Sequence, residues 1–257
     1  MTIITPICDR IELLAFYLQY YQRLGVERFV VALYNGRKSP LHDAIWRTGN
    51  RMRVDLHIRP SVICPLSEFN GSMETPGVNL IRQEFIRPNE WFAIADLDEF
   101  IRPLQSDNLI GLASKAMASG YTAVHGPMVD RIAATGRFPA IDPDKSLDEQ
   151  FPFQCDLTEA GGAMSSKIFL SQGNLEVTNG HHQLNNGNVS VLRDGGEVHH
   201  FKWTSGIIGR LQNRLKHFRA QRLPWAEESA KLLRVIENGI DLADPNLKVR
   251  ISPALGI

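Results

Sequence analysis

Long apolar runs, cysteine frameworks and an excess of charge of either sign are all missing from this 257-residue sequence. No segment approaches the ~20 apolar residues that span a bilayer, and the opening TIITPI is too short for a secretory leader and lacks its basic flank. Any membrane contact is then expected to be peripheral. Cys8, Cys64 and Cys155 are an odd number at wide spacing with no C-x-x-C pair. That excludes a disulfide scaffold and a cysteine zinc knuckle, and fits a reducing cytoplasm. The 28 basic residues balance the 28 acidic ones, so no overall field draws the chain to nucleic acid. G-x-S-x-G, G-x-x-x-x-G-K-[ST] and G-x-G-x-x-G are absent as well, which removes support for a serine hydrolase, a P-loop NTPase and an NAD-dependent dehydrogenase.

What is there is enough apolar residue, 43%, for a substantial core. Thr2–Ile7 reads as a strand, and Leu13, Leu14, Tyr17, Leu18, Tyr21 and Leu24 mark one face of a helix from Arg10 that stops at Gly25. RFVVALY is a second strand, followed by the Asn35-Gly36 turn, a Ser39-Pro40 cap and a helix to Gly49. RMRVDLHI alternates as a third strand; Thr75-Pro76 repeats the cap before a helix from Gly77 to Arg87. Alternating strands and helices predict an α/β fold with a mostly parallel sheet, whose ligands bind at the carboxyl ends of the strands. Asp107 is expected to cap the next helix, and YTAVHGPMV is a further strand ending at Asp130-Arg131. The stretch 134–165 lacks periodicity and reads as a long loop with short helices. No repeat or linker appears, so a single domain over 1–257 is expected.

The stretch EWFAIADLDEFIRP raises the chemical question, because the apolar run Trp91–Ala95 ends on Asp96, Asp98 and Glu99. If the strand continues, alternation points Asp96 and Asp98 the same way, where they repel unless a cation lies between them. Mg²⁺ and Mn²⁺ take oxygen ligands, commonly one or two carboxylates with water and phosphate completing the shell. Such acids can equally be where a buried strand meets water.

HHFKW is the second informative stretch. On a strand, His200 and Lys202 share one face and His199, Phe201 and Trp203 the other. His200 could then complete a metal set with Asp96 and Asp98, and Lys202 could neutralise phosphate. Arg210 and Arg214, one turn apart on a basic helix, could grip a diphosphate, although a solvated face is the plainer reading. His181 and His182 follow a glycine at a spacing that fits no zinc motif. Asp130, at another strand end, could serve as general base for an incoming hydroxyl or simply pair with Arg131.

These residues resemble the bacterial glycosyltransferase family 2-like group, related to glycosyltransferase family 92. The resemblance is carried by ITPICDRIELLAFYLQYYQRLGVERFVVALYNG and WFAIADLDEF, and more loosely by KIFL, GHH and HHFKW. It implies a GT-A-like, three-layer α/β/α fold, with a nucleotide-sugar half over 1–103, an acceptor-side half over 104–238 and a tail over 239–257. Asp96 and Asp98 then look like a DxD motif holding Mn²⁺ or Mg²⁺ on the diphosphate of a nucleotide sugar, a UDP-sugar being favoured. Asp9, Lys202 and Arg210 join Asp96 as donor contacts. The family often has Lys-Asn-Glu where this chain has Cys8-Asp9-Arg10. The implied activity is inverting transfer to a hydroxyl of a glycan or lipid-linked acceptor, with Asp130 as base and Asp156 and Glu159 as its rivals. The alternatives are a phosphatase of the haloacid-dehalogenase type, in which the first Asp of a D-x-D attacks phosphorus, and a sugar-nucleotide-binding protein without activity.

Overall fold

The structure, a computed structural model, describes residues 1–61, 71–185 and 189–257. In chain order these form β1 (Thr2–Ile7), α1 (Leu14–Arg23), β2 (Arg28–Leu33), α2 (His42–Met52), β3 (Asp55–Pro60), α3 (Gly71–Phe85), β4 (Trp91–Ile94), β5 (Glu99–Pro103), α4 (Leu109–Ala118) and β6 (Ala123–Ile132). There follow α5 (Leu147–Gln150), β7 (Phe153–Cys155), α6 (Leu157–Ala160), β8 (Ser166–Gln172), β9 (Val191–Leu192), β10 (Gly196–His200), α7 (Ile207–Ala220), α8 (Ala226–Ile236) and β11 (Arg250–Ile251). The α/β class expected from the alternation is the class formed. Among the described residues, no helix is long and apolar enough to cross a membrane. Cys64 lies outside the described residues.

Two compact units divide the chain, one of residues 1–127 and 166–198, the other of 128–165 and 199–257. They are discontinuous in sequence, which a division at residue 103 does not anticipate. In the first unit, β3, β2, β1 and β4 run parallel in that order, with Ile4 beside both Val30 and Ile94. β8 then pairs antiparallel with β4, and the first half of β6 antiparallel with β8. The central strands are apolar on both faces because helices cover the sheet. Ile4, Val30, Phe92 and Ile94 pack with Val78 and Ile81 of α3, each fully buried side chain contributing roughly 1.5–3 kcal/mol. β3 lies at the end of this strand order and carries Asp55, Arg59 and Pro60, residues that blunt an edge against further pairing.

The helix ends depart from the sequence reading by a few residues. α1 starts at Leu14 rather than Arg10 and stops before Gly25, whose φ of 87° suits a residue without a Cβ. Ser39 Oγ accepts from Leu41 N at 3.3 Å, so it satisfies a donor just ahead of α2. Pro76 lies inside α3 rather than at its start. Asn108, not Asp107, caps α4 by accepting from Gly111 N at 2.8 Å. Gly206, with φ 78°, precedes α7.

The second unit has its own core, in which Ile132, Leu157, Trp203, Leu211, Leu232 and Ile236 pack together. Here the second half of β6 pairs antiparallel with β7, and β7 with β11. α7 and α8 pack on one another. The stretch 134–165 is more structured than its composition suggests, since α5, β7 and α6 all lie within it.

Candidate functional site

The acidic stretch sits at the carboxyl end of β4, but not on an extended strand. Pairing of β4 with β1 ends at Ile94, after which Ala95 N donates to Ile4 O at 3.3 Å and the chain turns. Glu99 N donates to the Asp96 carbonyl at 3.0 Å, and Asp96 N donates to Glu99 Oε2 at 3.1 Å. Asp96 and Asp98 therefore lie on a turn. The expectation that strand alternation aligns them is corrected: the pleat stops two residues too early.

α1 holds this turn through tyrosines that the sequence reading treated only as apolar. Tyr17 Oη donates to the Ala95 carbonyl at 3.2 Å, Tyr20 Oη to that of Ile101 at 2.8 Å and Tyr21 Oη to that of Glu99 at 2.9 Å. Tyr21 Oη also accepts from Ile101 N at 3.0 Å. The three rings surround Phe100. Burial raises the Tyr17 and Tyr21 hydroxyls well above the ordinary range, so they stay protonated and donate. Each such bond is worth about 1 kcal/mol, and together they fix the backbone on both sides of Asp98.

The charge of the turn is compensated from within the unit. Lys167 Nζ lies 2.9 Å from Asp96 Oδ2 and also contacts Glu99 Oε1. Arg10 Nη2 donates to Asp98 Oδ2 at 2.5 Å. Lys167 is 6% exposed and Glu99 1%, whereas Asp96 is 33% exposed, Asp98 16% and Arg10 19%. Burial alone would lower the Lys167 ammonium; Asp96 and Glu99 outweigh it and hold the group above its ordinary value. Neither Lys167 nor Arg10 was singled out from sequence. Lys167 left one signal, a lysine inside the apolar strand SKIFL, since lysine is seldom buried unless paired.

Among the described residues, Lys167 and Arg10 lie against the three carboxylates of the turn, and the two aspartates keep exposed surface. Among the described residues no three His, Cys, Asp or Glu side chains converge as a cage. A hard ion that keeps water and phosphate ligands does not need one, and the turn's carboxylates fit such an ion.

His181 lies near this charge. It is buried, its φ is 60°, a region few side chains other than glycine adopt, and its Nδ1 finds no hydrogen-bond partner among the described residues. Burial pushes its imidazole down to about 3, Lys167 adding to the effect and Asp96 opposing it. His182 is also lowered by burial, and its Nδ1 donates to the Ser166 carbonyl at 2.6 Å. A histidine with an ordinary value of 6.5 that must stay neutral when folded binds its proton first in the unfolded chain. Its contribution is therefore full above pH 6.5 and is lost as pH falls from there towards 3. Urea unfolding at pH 7 and 4.5 should show a smaller acid loss for His181→Asn than for the wild type; equal losses would refute it.

In the second unit, β6 sends Asp130 and Arg131 to opposite sides, as alternation requires, so the mutual ion pair considered from sequence does not form. Arg131 instead donates to Asp148 Oδ1 at 3.0 Å and to the Phe151 carbonyl at 2.7 Å, and lies over the Phe201 ring. Asp130 is buried. Its Oδ1 accepts from Thr158 Oγ1 at 2.8 Å, Trp203 Nε1 at 2.7 Å and His200 Nδ1 at 3.2 Å, while Oδ2 accepts from Thr158 N at 2.5 Å. Burial works to raise this carboxyl, but His200 and the other donors prevail and lower it. So enclosed, the ionised carboxylate orients His200: Nδ1 carries the hydrogen and Nε2 is the basic nitrogen. The same Nδ1 is thereby committed away from a metal.

In HHFKW burial does not alternate, since His200 is buried like its neighbours and only Lys202 keeps partial exposure. His199, Phe201 and Trp203 are buried, although β10 itself stops at His200. Lys202 Nζ lies 5.3 Å from the centre of the Trp203 ring. Arg210 donates to the carbonyls of Ser205 at 3.0 Å and Lys202 at 3.3 Å, bracing the entry to α7. Asp156 pairs with Lys248 at 3.0 Å. Asp9 and Glu159 are exposed. Asp9, Asp96 and Asp98 thus belong to the first unit, and Asp130, His200, Lys202 and Arg210 to the second.

A scan of protein-family models and a search of curated proteins give no match. Solved structures similar to this chain include a UDP-glucose pyrophosphorylase from Acinetobacter baumannii, 12% identical over 91% of this chain and 98% of that one, with a TM-score of 0.38. HddC from Yersinia pseudotuberculosis is 10% identical over 84% and 98%, with a TM-score of 0.37. Mannose-6-phosphate isomerase from Helicobacter pylori is 12% identical over 67% and 70%, also at 0.37.

Proposed function

We propose that the chain is a metal-dependent glycosyltransferase that moves a sugar from a nucleoside-diphosphate donor, a UDP-sugar in the favoured case, to a hydroxyl of a glycan or lipid-linked acceptor. The observation that carries this reading is the Asp96-Leu97-Asp98 turn, which stands at the carboxyl end of a parallel strand and is pinned by tyrosines on both sides. Asp96 and Asp98 would hold Mn²⁺ or Mg²⁺, which when bound supplies positive charge to a leaving diphosphate. Lys167, 2.9 Å from Asp96 Oδ2, holds that carboxylate in place. Asp9, in the same unit, is assigned to the donor. Within the second unit, His200, oriented by Asp130, is assigned the role of taking a hydroxyl proton, and the transfer is read as inverting. Asp130 then acts as a positioning residue rather than as the base itself.

Calorimetric titration with UDP in the presence of Mn²⁺, followed by incubation with UDP-sugars, tests the reading. Metal-dependent binding and release of free sugar are expected. Absence of UDP binding would refute it, and hydrolysis of a simple phosphate monoester without UDP binding would favour the phosphatase. Binding without turnover of any donor or acceptor would leave the sugar-nucleotide-binding protein.

A further inference from the structure

The two cations on the acidic turn are not equivalent. Lys167 lies between two carboxylates, one of them almost wholly buried, and to withdraw it would leave charge in a medium that penalises it heavily. Arg10 is partly exposed, and its other nitrogen, Nη1, reaches a second carboxylate, Glu12 Oε1, at 3.4 Å. It lies outside regular structure, between β1 and α1. Asp98 can thus exchange its partner at small cost. Asp96 cannot.

We propose that Arg10 is an exchangeable counter-cation of Asp98, so that the site takes up a divalent ion together with a diphosphate rather than as a bare ion. This rests on the glycosyltransferase reading. A bare Mn²⁺ approaching Asp98 meets a guanidinium already 2.5 Å from the carboxylate, and the two cations compete for one anion. Free UDP carries more negative charge near neutral pH than one divalent ion cancels, because its terminal phosphate can ionise twice, so its metal complex attracts Arg10 where the bare ion repels it. The guanidinium fork can then leave Asp98 for phosphate oxygens, a geometry it matches with paired hydrogen bonds. Arg10 is by this assignment a residue that sets the order of binding and contacts the donor, while the buried Lys167 holds the frame in both states.

Electron paramagnetic resonance of unbound Mn²⁺, titrated with the full chain with and without UDP, tests the exchange without any turnover. The wild type should bind Mn²⁺ about tenfold more tightly when UDP is present. Arg10→Gln should bind Mn²⁺ alone about tenfold more tightly than the wild type and the Mn²⁺–UDP pair more weakly, so that the gap closes. Arg10→Lys, which keeps the charge, should retain the wild-type order, and matched melting temperatures would show that all three proteins are folded. If Arg10→Gln binds Mn²⁺ alone no more tightly than the wild type while Mn²⁺–UDP still binds the wild type, the exchange is refuted and the functional reading stands. If folded wild type binds no Mn²⁺–UDP at all, the functional reading falls and takes the exchange with it.

Discussion

Asp98→Asn is expected to lower transfer by about 10²–10³-fold while leaving the protein folded. The amide keeps the shape of the side chain and removes the one negative charge that the turn presents to an exchangeable cation. Its partner in the unliganded protein, Arg10, is partly exposed and also meets Glu12, so it stays solvated. The lost ion pair should therefore cost no more than about 1 kcal/mol. Turnover measured across a Mn²⁺ series, with thermal melting alongside, reads both effects. Near-normal turnover at ordinary Mn²⁺ would remove the metal role of Asp98. Asp96 makes the useful contrast: the Asp96→Asn change withdraws a carboxylate from the buried Lys167, and should be felt in stability as well as in activity.

The α/β class and the place of the acids at a strand's carboxyl end were legible because both follow from local periodicity. β1, β2 and β4 are short apolar runs, α1 shows its buried face at a spacing of three and four, and no long-range information is needed to see them. Alternation along β6 was equally legible, since it separates Asp130 from Arg131, whereas in HHFKW His200 is buried along with His199, Phe201 and Trp203. The expectation for Asp96 and Asp98 failed because a strand ends where its partner ends, and the partner of β4 is 90 residues away in register, Thr2 facing Phe92. The counter-cations were invisible for the same reason. Arg10 and Asp98 are 88 residues apart and Lys167 and Asp96 are 71, and no pattern within a window of one helix or strand connects them. Asp130 was visible as a strand-end acid, but its burial depends on Thr158 arriving from one segment and His200 and Trp203 from another, and on the proposed reading that burial makes it the residue that aims His200.

Lys167→Met should give the largest loss of stability of any single change near the site, roughly 3–5 kcal/mol. Methionine matches the length of the lysine stem and fills its space, so the change removes the ammonium and little packing. Glu99 is then left almost wholly buried without the cation it contacts, and Asp96 loses the partner 2.9 Å from its Oδ2. The pH dependence follows from the direction of the lysine shift. A folded-state value raised above the ordinary 10.5 makes the contribution of Lys167 complete below that pH, to be lost only as pH rises through the higher folded value. Between neutrality and mild alkalinity the deficit of the variant should therefore be constant. Under acid conditions it should shrink, because protonation of a carboxylate replaces the missing charge. Glu99→Gln placed on top of Lys167→Met should restore much of the loss, whereas Glu99→Gln alone should destabilise, so the two changes are strongly non-additive. Urea unfolding of the four proteins at pH 7 and pH 4.5 measures both the coupling and its pH dependence. A Lys167→Met protein within about 1 kcal/mol of the wild type at pH 7 would mean that the turn is held by its tyrosines alone, and that the triad of Asp96, Lys167 and Glu99 is not what keeps Asp98 in position to exchange its partner.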